Sequence, residues 1–174
     1  MPKIIEHLRE QLLEEAKRQI GERGFSKTTV RSVAAACGVG VGTVYNYFES
    51  KEILIASFIL EDWKAHLSEM KRLPICEPRA LLWGIYDSLR RFAEKNETLF
   101  SDPDAAKLIS TGSSARHKML REQIASVILP VCERNGVENP RLASDFVSEA
   151  LICWSMEGVD FDTLYPMLEK IIQS

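Results

Sequence analysis

Between Ser26 and Glu52 the chain reads SKTTVRSVAAACGVGVGTVYNYFESKE, and this stretch gathers side chains suited to nucleic acid. Thr43, Tyr45 and Tyr47 carry hydroxyls that can donate to phosphate oxygens. Asn46 can read a base edge, and Val41 offers methyl surface to thymine. Arg31 can reach the backbone or a guanine, and Lys51 is placed for a phosphate. Gly40 and Gly42 are small enough to let the main chain approach closely, and a helix N-terminus itself favours phosphate.

Those residues need elements to hold them. Thr28 or Thr29 can cap a short helix running to about Cys37, with Val30, Val33, Ala34 and Cys37 on one face. Gly38 permits a sharp turn, and a second short helix is expected from about Val41 to Tyr47. Val33, Val39 and Val44 can pack the two together, leaving Val41, Gly42, Thr43, Tyr45, Asn46 and Tyr47 on or near the outside. Those are the dimensions of a helix-turn-helix, in which the first helix braces the second and the second enters the major groove. GVGVG at 38–42 also looks like part of a dinucleotide-binding loop, but that loop needs a preceding strand, and an alanine-rich helix precedes this one.

The flanking pattern is helical throughout. Residues 3–23 place Ile5, Leu8, Leu12, Ala16 and Ile20 on one stripe, with Pro2 suited to the helix start and Gly24 to a left-handed stop. Ser50 can cap a long helix carrying Leu54, Phe58, Trp63, Leu67 and Met70, closed by Pro74. Further helices are expected over 79–96, from Asp102 to Gly112, from Ser113 or Ser114, from Asn139-Pro140 to Gly158, and over 160–173. Pro130 should kink or shorten the helix that contains it. With no sustained alternation of period two, the reading is all-α with about nine helices.

The segment TTVRSVAAACGVGVGTVYNYFESKEIL resembles the N-terminal DNA-binding domain of TetR-family transcriptional regulators, over about residues 25–55. Thr29, Val33, Ala34, Gly38, Val39, Gly42, Thr43, Tyr45, Phe48, Lys51 and Leu54 match together. The resemblance implies a DNA-binding domain over residues 1–50 and a helical ligand-binding and dimerisation domain over 51–174. It implies a homodimer on a palindromic, double-stranded operator, acting as a repressor and released by a small-molecule effector. It assigns DNA contacts to Thr28, Thr29, Arg31, Val41, Gly42, Thr43, Tyr45, Asn46, Tyr47 and Lys51, and dimerisation to the last two helices. Two positions depart from the pattern. Gly40 stands where a capping residue is common, and Val41 where a polar side chain often reads bases, which shifts weight to DNA shape and the tyrosines.

Composition agrees with a two-part chain. The 174 residues carry a net charge of −3, which by itself argues against a nucleic-acid binder. Residues 1–51, however, hold eight basic and six acidic side chains, a net +2, against −5 for the remainder. No apolar run approaches the roughly 18 residues of a membrane span. The charged N-terminal stretch lacks a secretory signal's apolar core. Cys37, Cys76, Cys132 and Cys153 show no paired spacing, so reduced thiols and a cytoplasmic location are expected. His7, His66 and His117 lack ligand spacing, and no metal or cofactor is expected.

In the C-terminal part, Trp63, Trp83 and Tyr86 pair a large ring with a polar handle and are the ligand-pocket candidates. FVSEALICW at 146–154 is apolar nearly all round and fits a helix buried on more than one side. With the last helix it supplies the dimer candidates Phe146, Ala150, Trp154, Leu164, Leu168 and Ile171. Alternatives are a DNA-binding module without an effector, a thiol-based redox sensor, and an enzyme in the helical part. The sequence offers no convergent titratable cluster for that enzyme.

Overall fold

Thr29 opens a helix, Gly38 ends its turn and Ser50 opens the next helix, and the computed structural model follows this punctuation closely. It describes residues 7–105 and 113–173, and among them every regular element is helical. The elements are α1 (Leu8–Arg23), α2 (Val30–Ala36), α3 (Val41–Tyr45), α4 (Lys51–Met70), α5 (Pro78–Lys95), α6 (Glu97–Phe100), α7 (Ser113–Arg134), α8 (Pro140–Met156) and α9 (Phe161–Ile172). A further helical turn starts at Pro103. The rest of the helix expected from Asp102 to Gly112 lies outside the described residues, as do Pro2 and Ile5.

The chain packs as two compact units. The first comprises the described residues of Met1–Asp62 and Asn96–Thr111, and the second Trp63–Lys95 and those of Gly112–Ser174. In the first, Leu12 and Ala16 of α1 meet Val33 and Ala34 of α2, Val44 of α3, and Leu54, Ile55 and Phe58 of α4. Leu99 and Ala105, 2% and 0% exposed, complete this core from far along the chain. Lys17 donates to Asp62 at 2.7 Å, and Arg9 pairs with Glu61, fastening α4 to α1.

The second unit is a helical bundle. Trp63, Leu67 and Met70 of α4 join Leu81, Leu82, Ile85 and Leu89 of α5, Ile124, Ile128 and Val131 of α7, Val147 and Leu151 of α8, and Leu164 and Leu168 of α9.

Three local expectations are corrected. α3 ends at Tyr45 rather than Tyr47, because Tyr47 N–H turns back to the Val44 carbonyl at 3.0 Å. Pro130 does not shorten α7, which runs through it to Arg134; proline removes only one donor, and packing of Ile128, Val131 and Cys132 holds the helix on either side. Gly24 has φ 82° but ψ 168°, a region open essentially to glycine alone and distinct from the left-handed helical stop expected.

Candidate nucleic-acid interface

The short α2 is held by a reciprocal cap. Thr29 Oγ1 accepts from the Ser32 N–H at 3.0 Å, and Ser32 Oγ accepts from the Thr29 N–H at 3.1 Å. Thr29 therefore takes the cap. Thr28 is only 1% exposed, and its hydroxyl donates to the Gly24 carbonyl at 3.0 Å. As an expected DNA contact Thr28 is corrected: it is a buried brace for the loop ahead of α2.

α2 is closed by Gly38 at φ 68°, the left-handed conformation that favours glycine. The Gly38 N–H reaches the Ala35 carbonyl at 3.2 Å, and the Val39 N–H reaches Ala34 at 2.9 Å. α3 starts at Gly40 with no side-chain cap. The Gly40 carbonyl accepts from the Thr43 N–H at 2.9 Å. Val44 is fully buried against α2, whereas Tyr45 and Tyr47 are 50% and 46% exposed. Thr29, Arg31, Gly42 and Asn46 are also exposed, except that Thr29's hydroxyl already serves the cap; Val41 and Thr43 are half-buried.

Lys51, the expected phosphate contact, is engaged within the protein. Its Nζ donates to the Phe25 carbonyl at 2.5 Å and lies 3.8 Å from the centre of the Phe25 ring. Burial pushes its pKa down, while Glu52, Asp102 and Asp104 act the other way. One ammonium hydrogen is committed to Phe25, and two stay available.

Gln19 was not expected to matter. It is 2% exposed, and its carboxamide makes three hydrogen bonds. Nε2 donates to Glu15 Oε1 at 2.6 Å and to the Ser32 carbonyl at 3.1 Å, while Oε1 accepts from Ser32 Oγ at 2.5 Å. This network ties α1 to the cap that starts α2. Glu15, bound by Arg18 and Gln19, is held far down at a pKa of about 2. The signal was present: Gln19 falls on the stripe of Leu12, Ala16 and Ile20, where a polar residue needs internal partners.

The profile of the bacterial regulatory proteins of the tetR family matches residues 12–58, the whole of this arrangement. The HTH-type transcriptional repressor Rv1474c of Mycobacterium tuberculosis is 38% identical, over 100% of this chain and 98% of its own. The chain belongs to the TetR family. The HTH-type transcriptional regulator UidR of Escherichia coli K12 is 32% identical over 63 residues; the match spans 36% of this chain and about a third, 32%, of UidR. In fold, the TetR-family repressor AlkX from Dietzia sp. strain DQ12-45-1b superposes with a TM-score of 0.61 at 21% identity, covering 94% of this chain and 98% of AlkX.

In this TetR-family regulator the other anticipated residues divide sharply. Trp63 is 3% exposed and its indole N–H donates to Gln123 at 2.6 Å; Tyr86 is 2% exposed and its hydroxyl donates to the Val159 carbonyl at 2.5 Å. Both polar handles are used inside the protein, so neither is free to orient a ligand as expected. Trp83 is half-exposed, lies parallel to Tyr86 at 5.8 Å, and lines an open depression of about 450 Å³. Phe146 and Trp154 are exposed and Ala150 half-buried, whereas Leu164 and Leu168 are buried in their own unit. Those two leucines face inward because α9 packs Phe161, Leu164, Tyr165, Leu168 and Ile172 together; Ile171 lies half-buried at the edge.

Burial pushes the Cys37, Cys132 and Cys153 thiols up, away from the reactive thiolate. His66 pairs with Ser88 at 2.9 Å, and His117 with Glu149 at 2.8 Å. Among the described residues no group of three His, Cys, Asp or Glu side chains is placed to hold a metal, and no helix is long and apolar enough to cross a membrane.

Proposed function

We propose that this chain is a ligand-responsive repressor that binds a palindromic operator as a homodimer, acting as a binding protein rather than an enzyme. The observation that carries the reading is the short α3 with the turn that follows it, seated on the core by Val44 and leaving Tyr45, Asn46 and Tyr47 in solvent. A purely structural helix has no use for two exposed tyrosines beside an asparagine. They suit phosphate and base contacts, with Arg31, Thr29, Val41, Gly42, Thr43 and Lys51 around them.

The functional division is 1–50 for DNA and 51–174 for the effector and the second subunit. Support for dimerisation comes from α8, which leaves Leu142, Phe146, Trp154 and Met156 between 42% and 69% exposed. Such surface on one helix is the mark of an interface. Support for ligand response comes from α4 and from Leu99 and Ala105. α4 begins in the first unit and ends in the second, and these two apolar residues, which follow α5 in the chain, lie in the first unit's core. An effector favouring one arrangement of these elements weakens operator binding by its differential affinity for the two states.

The test is a mobility shift with fragments from upstream of the gene, at low salt, using folded, ligand-free protein. A retarded band that weakens steeply with salt is expected. Its absence with every such fragment overturns the reading.

A further inference from the structure

The depression beside Trp83 has a composition of its own. It lies between α5 and α9, within the second unit, and its lining includes Glu77, Arg79, Trp83, Tyr165, Glu169 and Gln173. At about 450 Å³ it falls within the roughly 300–1,000 Å³ of small-molecule sites. Its aromatic wall is built rather than incidental. Trp83 lies parallel to Tyr86 and meets Phe161 edge-on at 5.2 Å, while Phe161 is 5.6 Å from Tyr165.

The charges around it have one sign to spare. Arg79 is already engaged: its guanidinium donates to Asp162 at 2.6 Å and lies 4.8 Å from the centre of the Tyr165 ring. Glu169 is held in place rather than neutralised, since its Oε1 accepts from the Tyr165 hydroxyl at 2.7 Å and from the Gln173 amide at 3.3 Å. Both donors are uncharged. Among the described residues Glu77 and Glu169 form no ion pair. A half-exposed indole next to two uncompensated carboxylates matches a flat organic group that carries positive charge: the ring covers Trp83 and the cation meets the carboxylates.

We propose that this depression is a binding site for small aromatic or amidinium-type organic cations. The site stands on this geometry alone; its identity with the effector site rests on the function proposed above.

Calorimetric titration of the full chain at fixed ionic strength tests it, with benzamidinium chloride as the probe and uncharged benzamide as its isostere. Saturable binding of one benzamidinium per chain is expected, about tenfold or more tighter than benzamide. Glu169→Gln keeps the acceptor for Tyr165 but removes the charge, and should cost about tenfold in benzamidinium affinity without changing the helical circular dichroism. Trp83→Leu should weaken both probes by removing the aromatic surface. Equal heats for the two probes, or an unchanged affinity in Glu169→Gln, overturns the site. Benzamidinium in the mobility shift then separates the two questions. Binding that leaves the operator band intact keeps the site and rejects it as the effector site.

Discussion

Ser32 Oγ donates to the Oε1 of Gln19 at 2.5 Å, and Gln19 returns a bond to the Ser32 carbonyl at 3.1 Å. A helix of seven residues is too short to hold itself in water, so α2 depends on such ties for its position. The carboxamide sits where an apolar residue would otherwise fill the core, and it specifies where α2 begins.

Gln19→Leu keeps the bulk and removes the bonds. It removes the three bonds that Gln19 makes to Glu15 and Ser32, although the Ser32 hydroxyl can still donate to the Thr29 carbonyl at 2.8 Å, costing about 1–3 kcal/mol of stability. Denaturant unfolding should show a lower midpoint with little change in slope. Gln19→Glu should not rescue it, since a second carboxylate would face Glu15. An unchanged midpoint in Gln19→Leu would show the network to be dispensable.

The tyrosines of the proposed interface allow a cleaner separation of stability from binding. Tyr45 and Tyr47 are half-exposed, so Tyr45→Phe and Tyr47→Phe should leave stability within about 0.5 kcal/mol. Each loses one hydroxyl, worth about 1.5–3 kcal/mol where it meets a phosphate, or roughly tenfold or more in operator affinity. Fluorescence anisotropy with labelled operator measures it. Lys51→Met should behave differently. It flattens the salt dependence by about one phosphate's worth, and it also lowers stability because the Phe25 carbonyl keeps only the Thr28 N–H and the Phe25 ring loses its cation.

How much of this was legible follows from what each residue type can do alone. Thr29, Gly38 and Ser50 punctuate locally: a hydroxyl accepts from an N–H three residues on, and a glycine takes positive φ. Such rules need no tertiary partner, and α2, the turn and the start of α4 were readable from them. Thr28 and Thr29 are chemically alike, and only the fold buries one. Trp63, Trp83 and Tyr86 have the same ambiguity, because an indole N–H or a phenol serves a ligand or a neighbour equally well. Gln123 and the Val159 carbonyl, which satisfy two of them, lie 60 and 73 residues away. The apolar stripe of the last helix showed that Leu164 and Leu168 are buried but not against what.

Glu15 gives the first unit a defined acid response. Arg18 and Gln19 hold its pKa at about 2, against the usual carboxylate value of 4.5. A carboxylate depressed in the folded state stabilises the fold fully above its unfolded pKa, and that contribution is lost as pH falls through the folded value. The difference in melting temperature between the wild type and Glu15→Gln should therefore be constant above about pH 5. It should shrink as pH drops from 4.5 towards 2. A difference independent of pH over that window would mean the charge of Glu15 contributes nothing.

The proposed dimer face can be told from the core by where a charge is tolerated. Phe146 on α8 is 60% exposed, whereas Leu168 on α9 is 1% exposed. Phe146→Asp places its carboxylate in water in a single chain, so each subunit should keep its helical signal and most of its thermal stability. In a dimer closed through α8 the same carboxylate is buried without a partner charge in the interface, twice over, because a two-fold interface uses the same patch of both subunits. Sedimentation equilibrium should then report a monomer at concentrations where the wild type is dimeric, and operator affinity should fall with it. Leu168→Asp buries an unpaired charge in the bundle, costing several kcal/mol, and should unfold the second unit outright. If Phe146→Asp instead sediments as the wild type does, the subunits meet elsewhere and the exposed stripe of α8 has another use.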